Sequence, residues 1–324
     1  MTAMIQKEKI NWDYSTVIPL VSFHVFALFA VFPQLFSWYN FIASILLLQI
    51  TGGFGISIGY HRMLSHRAFR DVHPIFGFFH TLCGTLALQM GPISWSRIHR
   101  HHHKHTDTPQ DPHDQNKGFF HVHIGWMLEK MDMNKFQQPT DLEKIWYVKF
   151  MEKNFVYINT IFLLGLFGLG YYIGANDPLN FESAEYMAAH SAVHHGLIGG
   201  TGMLVWAGFV RIIVLYNLTW CINSVCHRFG YKNFEVDGST GTSKNNYFIG
   251  YFSFGEGWHN NHHAFPTSAK QGLLPWQVDM SYGLILILKF LGLAWNVKVP
   301  TPEMIEKRKA HSGLILEPEA LPAL

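Results

Sequence analysis

Four apolar runs punctuate the chain, each close to the roughly 20 residues a helix needs to cross a bilayer. They extend from about Ser15 to Phe36, Asn40 to Tyr60, Phe155 to Ala175 and Gly202 to Asn223. The polar start, MTAMIQKEKINWDYS, lacks the basic, apolar and small-residue succession of a signal peptide, so the first run is expected to remain as a span. Gly52, Gly53 and Gly55 lie inside the second run, where a membrane helix tolerates them. Two other apolar stretches are weaker. Ile75 to Met90 is short and stops at Gly91 and Pro92, which reads as a partly buried or re-entrant helix. Trp276 to Trp295 carries Asp279 and Lys289 and reads as an interfacial helix. The residues after Pro300 are expected to form a loose end.

The charges between the runs orient them. Of the 24 Lys and Arg residues, two precede the first run, twelve lie between His61 and Asn154, and nine lie from His227 onward. The connections Pro33 to Tyr39 and Gly174 to Thr201 have none. Basic loops stay on the cytoplasmic side, so the N-terminus, the central segment and the tail are expected there. The expected fold is an all-α membrane protein of a single domain, 1–324. It has four transmembrane helices (about 15–36, 40–60, 155–175 and 202–223) and a cytoplasmic helical cap, 61–154 and 224–324. The 14% of charged residues suits this class, against about a quarter in soluble domains. A net charge of +2 implies no attraction to nucleic acid, and three cysteines are too few for a disulfide framework. Arg211 is the one basic residue inside a span and must pair or snorkel.

The 21 histidines change the picture from architecture to chemistry. Nine fall in short boxes that the topology returns to one face: HRMLSH (His61, His66), HRHHH (His99, His102, His103), NSVCH (His227) and HNNHH (His259, His262, His263). At about 100° per residue, each H-x-x-H-H triplet presents three imidazoles on one helical face, where one or two metals can sit. His61 and His66, five apart, share a face only if the second span unwinds between them. His101 and His105 point away from the triplet. His24, His73, His80, His121, His123 and His311 read as structural. His190, His194 and His195 fall on the opposite side of the membrane and read as a coincidental cluster. Imidazole suits several transition metals, and a closed zinc site needs only four ligands, so iron and copper stay open.

At these residues the chain resembles the integral-membrane acyl-CoA desaturase family, of the stearoyl-CoA Δ9 type. The matching stretches are GYHRMLSHRAF, WSRIHRHHHKHTDTPQDPH, KGFFHVHIGWML, TWCINSVCH and FGEGWHNNHHAFP, in order from Tyr60 to Trp295. The resemblance implies two Fe2+ ions held by the nine boxed histidines, with Asn223 near one iron through water and no catalytic residue beyond the ligands. It also implies a kinked substrate tunnel shaped by Gln89, Trp95 and Thr219, with Trp220 adjoining. The implied activity is O2-dependent insertion of a cis double bond, Δ9 in this type, into a saturated acyl chain on coenzyme A or a membrane lipid, as part of unsaturated fatty acid biosynthesis. The protein would supply placement, because the reacting atoms must sit within about 3–3.5 Å.

Asp107, Asp111, Asp114 and Glu256 are candidates to orient the imidazoles. Arg62, Arg67, Arg70, Arg97 and Lys104 are candidates to meet a head group or an acidic electron donor. With no H-P-G-G haem signature and no G-x-G-x-x-G loop after a strand, a separate ferredoxin or cytochrome b5 type donor is expected. Two rival readings share parts of the pattern: a membrane di-iron hydroxylase, and a His-rich metal transporter, whose ligands would lie near the bilayer midplane rather than after the spans.

Overall fold

The computed structural model describes residues 11–69, 71–176, 190–236 and 241–312; Arg70 and the side chain of His311 lie outside it. Among the described residues, four helices are long and apolar enough to cross a membrane: α1 (Tyr14–Val31), α2 (Trp38–Ser65), and two later helices, Phe155–Asn176 and Ala192–Ser224. Between α2 and the third span lie strand β1 (Asp71–Val72), α3 (Pro74–Thr85), α4 (Pro92–His105) and α5 (Trp146–Lys153). The third and fourth spans are α6 and α7. After them come α8 (Tyr247–Phe252), α9 (His259–Ala264), α10 (Met280–Phe290), β2 (Ala294–Trp295) and α11 (Pro302–Ser312). The tail expected to be loose after Pro300 thus begins with a helix, its first turn capped by the Thr301 hydroxyl accepting from the Met304 amide.

Three of the four spans depart from their expected limits for local reasons, while α6 matches to within one residue. α1 ends at Val31 because Pro33 opens a short 3-10 turn. α2 begins at a Ser37 cap, whose hydroxyl accepts from the Asn40 amide, and continues to Ser65, carrying the first histidine box. From Gln49 to Ser65 it is wound in wide turns with hydrogen bonds five residues apart, and the His66 amide donates to the His61 carbonyl at 3.1 Å. That winding puts His61 and His66 one above the other, so the helix widens where the spacing had suggested unwinding.

α7 starts ten residues before the expected Gly202. The Ser191 hydroxyl caps it, and its glycine-rich first turns lie against α6. A β-carbon on Gly170 would stand 2.5 Å from the Gly199 carbonyl oxygen, so only glycine permits this approach. His194 and His195 therefore sit in the first turn of a 33-residue helix, roughly 45 Å from its histidine-bearing end.

α3 has 12 residues, about 18 Å, too short to cross. It packs on α2 at Gly55, where a β-carbon would lie 2.5 Å from the Gly84 nitrogen. Its C-terminal end reaches Arg211, which is fully buried and donates to the carbonyl oxygens of Leu86 (2.9 Å) and Ala207 (3.1 Å) and to the Thr51 hydroxyl (3.2 Å). The partner of the intramembrane arginine is thus a helix C-terminus, whose dipole favours a cation. α10 differs from the amphipathic expectation, because Leu286 and Ile287 on its outer side are exposed and apolar. Ile285 and Leu288 are buried in the main core with Ile56, Ile58 and Met63 of α2, while Phe290 is exposed. β1 and β2 pair antiparallel, tying the residues after the first box to those after α10.

Candidate metal centre

The nine boxed histidines come together as two adjoining groups. His61, His66, His99, His103 and His262 form one, and His102, His227, His259 and His263 the other; within each group the facing nitrogens lie within 4.8 Å of one another. The two triplets are divided reciprocally. From α4, the i and i+4 residues His99 and His103 enter the group of five, while His102 enters the group of four. From α9, His259 and His263 enter the group of four, while His262 enters the group of five. Each triplet therefore contributes to both groups, whereas His61 and His66 serve only the group of five and His227 only the group of four. The stacked rings of His103 and His263, 4.5 Å apart, mark where the groups meet.

Proton bookkeeping shows what the groups can hold. The Nδ1 atom of His102 lies 2.9 Å from both Asp111 oxygens, that of His227 lies 2.9 Å from the Thr242 hydroxyl oxygen and 3.2 Å from Asp107 Oδ1, and that of His61 contacts Glu256 Oε2. A carboxylate only accepts, so each Nδ1 carries the proton and, in the neutral ring, Nε2 is a bare lone pair. Those Nε2 atoms face other Nε2 atoms: His61 and His262 at 3.1 Å, His227 and His259 at 3.0 Å. The pairs His66–His99, His103–His262 and His259–His263 are separated by 2.7, 2.9 and 3.0 Å. Ligands about 2.0–2.1 Å from a shared ion stand close to these separations. His102 Nε2 is buried with no partner among the described residues. Buried lone pairs converging in this way need a cation between them. Burial first, and neighbouring imidazoles second, hold His66, His99, His103, His259, His262 and His263 well below the ordinary histidine range, in the neutral form that binds metal.

The orienting residues are themselves held. Burial pushes the Glu256 carboxyl up, but His61 and Arg62 outweigh it and keep it ionised. Glu256 accepts from Arg62, Ser57 and Gln271, and Arg62 also donates to Asp279 Oδ2 at 3.0 Å. Arg62 is almost completely buried, so it braces the centre and does not meet a head group. Arg67 pairs with Asp141, and Arg97 donates to the Phe136 carbonyl. Asp107 also accepts from the Thr242 hydroxyl at 2.7 Å. Of the four candidate carboxylates only Asp114 contacts no imidazole of the two groups; it caps the turn at Asn116. In HNNHH the two asparagines turn away from the metal side. The Asn261 side chain bonds Asn233, Asn245, Gln277 and the Gln271 carbonyl, and Asn260 bonds the backbone of Asn233, Phe234 and Ser243.

The remaining expected residues fall around the centre. Trp95 stacks on His99 with ring centroids 4.9 Å apart, and Gln89 Nε2 donates to the Thr219 hydroxyl oxygen at 2.9 Å. Trp220 is buried against Tyr216. Asn223 lies in the last turn of α7, its carbonyl accepting from Gln115 at 3.1 Å. His101 turns away, its Nε2 lying 3.0 Å from the Gln110 carbonyl and its ring packed on Phe136 and His105.

Two residues escaped the sequence reading. His113 is buried beside His102 and Asp111, its Nδ1 3.6 Å from Asp111 Oδ1 and neither ring nitrogen hydrogen-bonded among the described residues, and burial lowers it to about 3. The Asp-Pro-His turn right after the second box was its only signal. Gln271 Nε2 reaches Glu256 Oε2 (3.2 Å) and lies 3.5 and 3.4 Å from the Nδ1 atoms of His61 and His262. No local pattern marks it.

A fatty acid desaturase family model matches residues 36–277, which span both histidine groups and the three orienting carboxylates. The chain belongs to the fatty acid desaturase family. The desaturase is 39% identical over 298 residues to an sn-1 stearoyl-lipid 9-desaturase of Anabaena variabilis, covering 90% of this chain and 96% of that protein. It is 37% identical to an enzyme of the same name from Synechocystis sp., over 96% and 88% of the two chains. It is 36% identical to an acyl-CoA C20 Delta5-desaturase of Anemone leveillei, over 93% and 88%. The desaturase is therefore an oxidoreductase that introduces a double bond into fatty acyl chains.

Proposed function

We propose that this desaturase inserts a cis Δ9 double bond into a saturated acyl chain carried on a membrane lipid, with coenzyme A as the second candidate carrier. The group of five and the group of four would each hold one iron, with Asn223 approaching one of them through water. The observation that carries this reading is the convergence of ring nitrogens from His61, His66, His99, His102, His103, His227, His259, His262 and His263 into two adjoining groups, with carboxylates on the Nδ1 side of His61, His102 and His227. The names of the two cyanobacterial relatives support the Δ9 position and the lipid carrier. The Anemone relative, named for acyl-CoA, keeps the second carrier open.

When bound, the iron pair supplies the power to oxidise an unactivated C–H bond with O2 and two external electrons. This chain's residues do the rest. Asp107, Asp111 and Glu256 hold the Nδ1 protons of His227, His102 and His61, which fixes each ring and leaves Nε2 free to ligate. Trp95, Thr219, Gln89 and Trp220 would form the wall that bends the chain and presents one methylene pair to the centre. Apolar packing around them excludes water from the reaction. No acid or base is required of the protein. A ferredoxin or cytochrome b5 type protein would deliver the electrons at the cytoplasmic face, where the basic loops place the histidines.

The test is expression in a host with a defined saturated acyl pool, followed by double-bond location and metal analysis. Two irons per chain and a cis Δ9 olefin on lipid-bound chains are expected. A hydroxylated chain without olefin, or zinc alone in an active preparation, would overturn the proposal.

A further inference from the structure

The segment joining α3 to α4 is strained and clamped. Leu88 and Met90 both adopt left-handed backbone conformations, φ +60° and +75°, that side chains other than glycine disfavour. Such a segment keeps its shape only if its surroundings hold it, and here α7 does so through three contacts in register. Arg211 Nη1 donates to the Leu86 carbonyl at 2.9 Å. The Tyr216 hydroxyl donates to the Leu88 carbonyl at 2.5 Å. Gln89 Nε2 donates to Thr219 Oγ1 at 2.9 Å, and the Thr219 hydroxyl donates to the Leu215 carbonyl. From Arg211 to Thr219 the contacts climb about 12 Å of helix toward the histidine-bearing end.

Arg211 anchors this series. It is fully buried, and among the described residues no carboxylate pairs with it. Its charge is set against the carbonyl end of α3 and against the Thr51 hydroxyl of α2, so three elements meet at one guanidinium. Within a span, a charge placed so deep is expensive unless it does work. Just beyond the clamp, Pro92 opens α4, and Trp95 stacks on the ring of His99. The clamped segment is thus a spacer of fixed length between Arg211 and the metal ligands.

We propose that Arg211 and Tyr216 are positioning residues for regioselectivity. By holding Leu86 to Met90 against α7, they fix the height of the Gln89–Thr219 contact relative to the irons, and with it the methylene pair that reacts. This rests on the reading of Gln89, Trp95 and Thr219 as the wall of the acyl tunnel. Neither Arg211 nor Tyr216 needs to touch the acyl chain.

The test compares Tyr216→Phe, Arg211→Lys, Arg211→Met and Gln89→Ala with the parent, in membranes, by two readouts: amide hydrogen exchange across residues 86–91 and the double-bond position of the product. Tyr216→Phe removes one hydroxyl and keeps the ring, so it remains informative if Arg211→Met fails to fold. It is expected to speed exchange of the segment about tenfold, the factor that loss of one ordinary hydrogen bond gives. It is also expected to raise products desaturated at neighbouring carbons several-fold. Arg211→Lys, which can still donate to Leu86, should stay closer to the parent than Arg211→Met. Faster exchange with an unchanged double-bond position would overturn the proposal, as would a shifted position with unchanged exchange. If Gln89→Ala also leaves the position unchanged, the tunnel assignment beneath the proposal fails instead, and if the parent makes no olefin, so does the proposed function.

Discussion

The chemistry of single side chains divides the histidines more sharply than their number does. His262 and His101 are both box histidines, yet the Nε2 of His262 faces those of His61 and His103, while His101 is spent on the Gln110 carbonyl and Phe136. His262→Ala is expected to abolish turnover and to lower bound iron, whereas His101→Ala and His194→Ala keep both; product yield and iron per chain check this in one preparation. Orienting residues should act by degree. Asp111→Asn keeps the shape of the side chain but removes the charge from His102, and iron affinity is expected to fall ~10–100-fold. Chelator competition on the purified protein would measure it, and unchanged retention would remove Asp111 from its assigned role. Gln271 differs from the three carboxylates in presenting an amide N–H, a donor that cannot take an Nδ1 proton, so it acts by bracing Glu256.

Elements translate these residue choices into position. The wide winding of α2 aligns His61 with His66, the reciprocal split of α4 and α9 lets each short helix serve two groups, and glycine lets α6 and α7 touch. The last of these is open to direct test. Gly199→Leu would drive a side chain into the Gly170 carbonyl, and a loss of ~1–3 kcal/mol is expected. It should appear as a lower unfolding temperature in detergent with bound iron unchanged at low temperature, because the contact lies at the opposite end of α7 from the nine histidines of the two groups. A variant as stable as the parent would show that α6 and α7 can separate freely.

At the scale of the whole molecule, the centre is a long-range closure: His61 and His262 are 201 residues apart. Burial holds six of its imidazoles, His66, His99, His103, His259, His262 and His263, in the neutral form, which couples folding to pH. Their folded values lie below the ~6.5 of an unfolded histidine. The unfolded chain therefore binds more protons as pH falls, and stability falls with it. His102 has the opposite sign, because Asp111 outweighs the effect of burial and raises it, but it is one group against six. The unfolding temperature of metal-stripped protein is expected to be flat above about pH 7.5 and to drop progressively below about pH 6.5. Restored Fe2+ should raise it at neutral pH, where lone pairs otherwise face one another, and a metal-free protein equally stable at about pH 5 would contradict the buried-neutral assignment.

Hydropathy and local spacing were enough to determine four apolar helices of spanning length, a shorter helix between the second and third, and the nine histidines that gather; these are properties of length and helical angle within a few residues. Gln89, Trp95 and Thr219 were singled out by the family resemblance alone, and the structure sets Gln89 on Thr219 and Trp95 on His99. Which histidine joins which group was decided only in three dimensions, because a ligand set is defined by where α2, α4, α7 and α9 cross and not by the interval between neighbours. The early start of α7 needed its glycine contact with α6, which hydropathy does not register. Arg211 was conspicuous in sequence without a partner, since the partner is a backbone carbonyl exposed by the end of α3 and no residue type encodes that. Gln271 and His113 were silent for a related reason: a neutral amide and a single histidine acquire meaning only from the rings they are folded against.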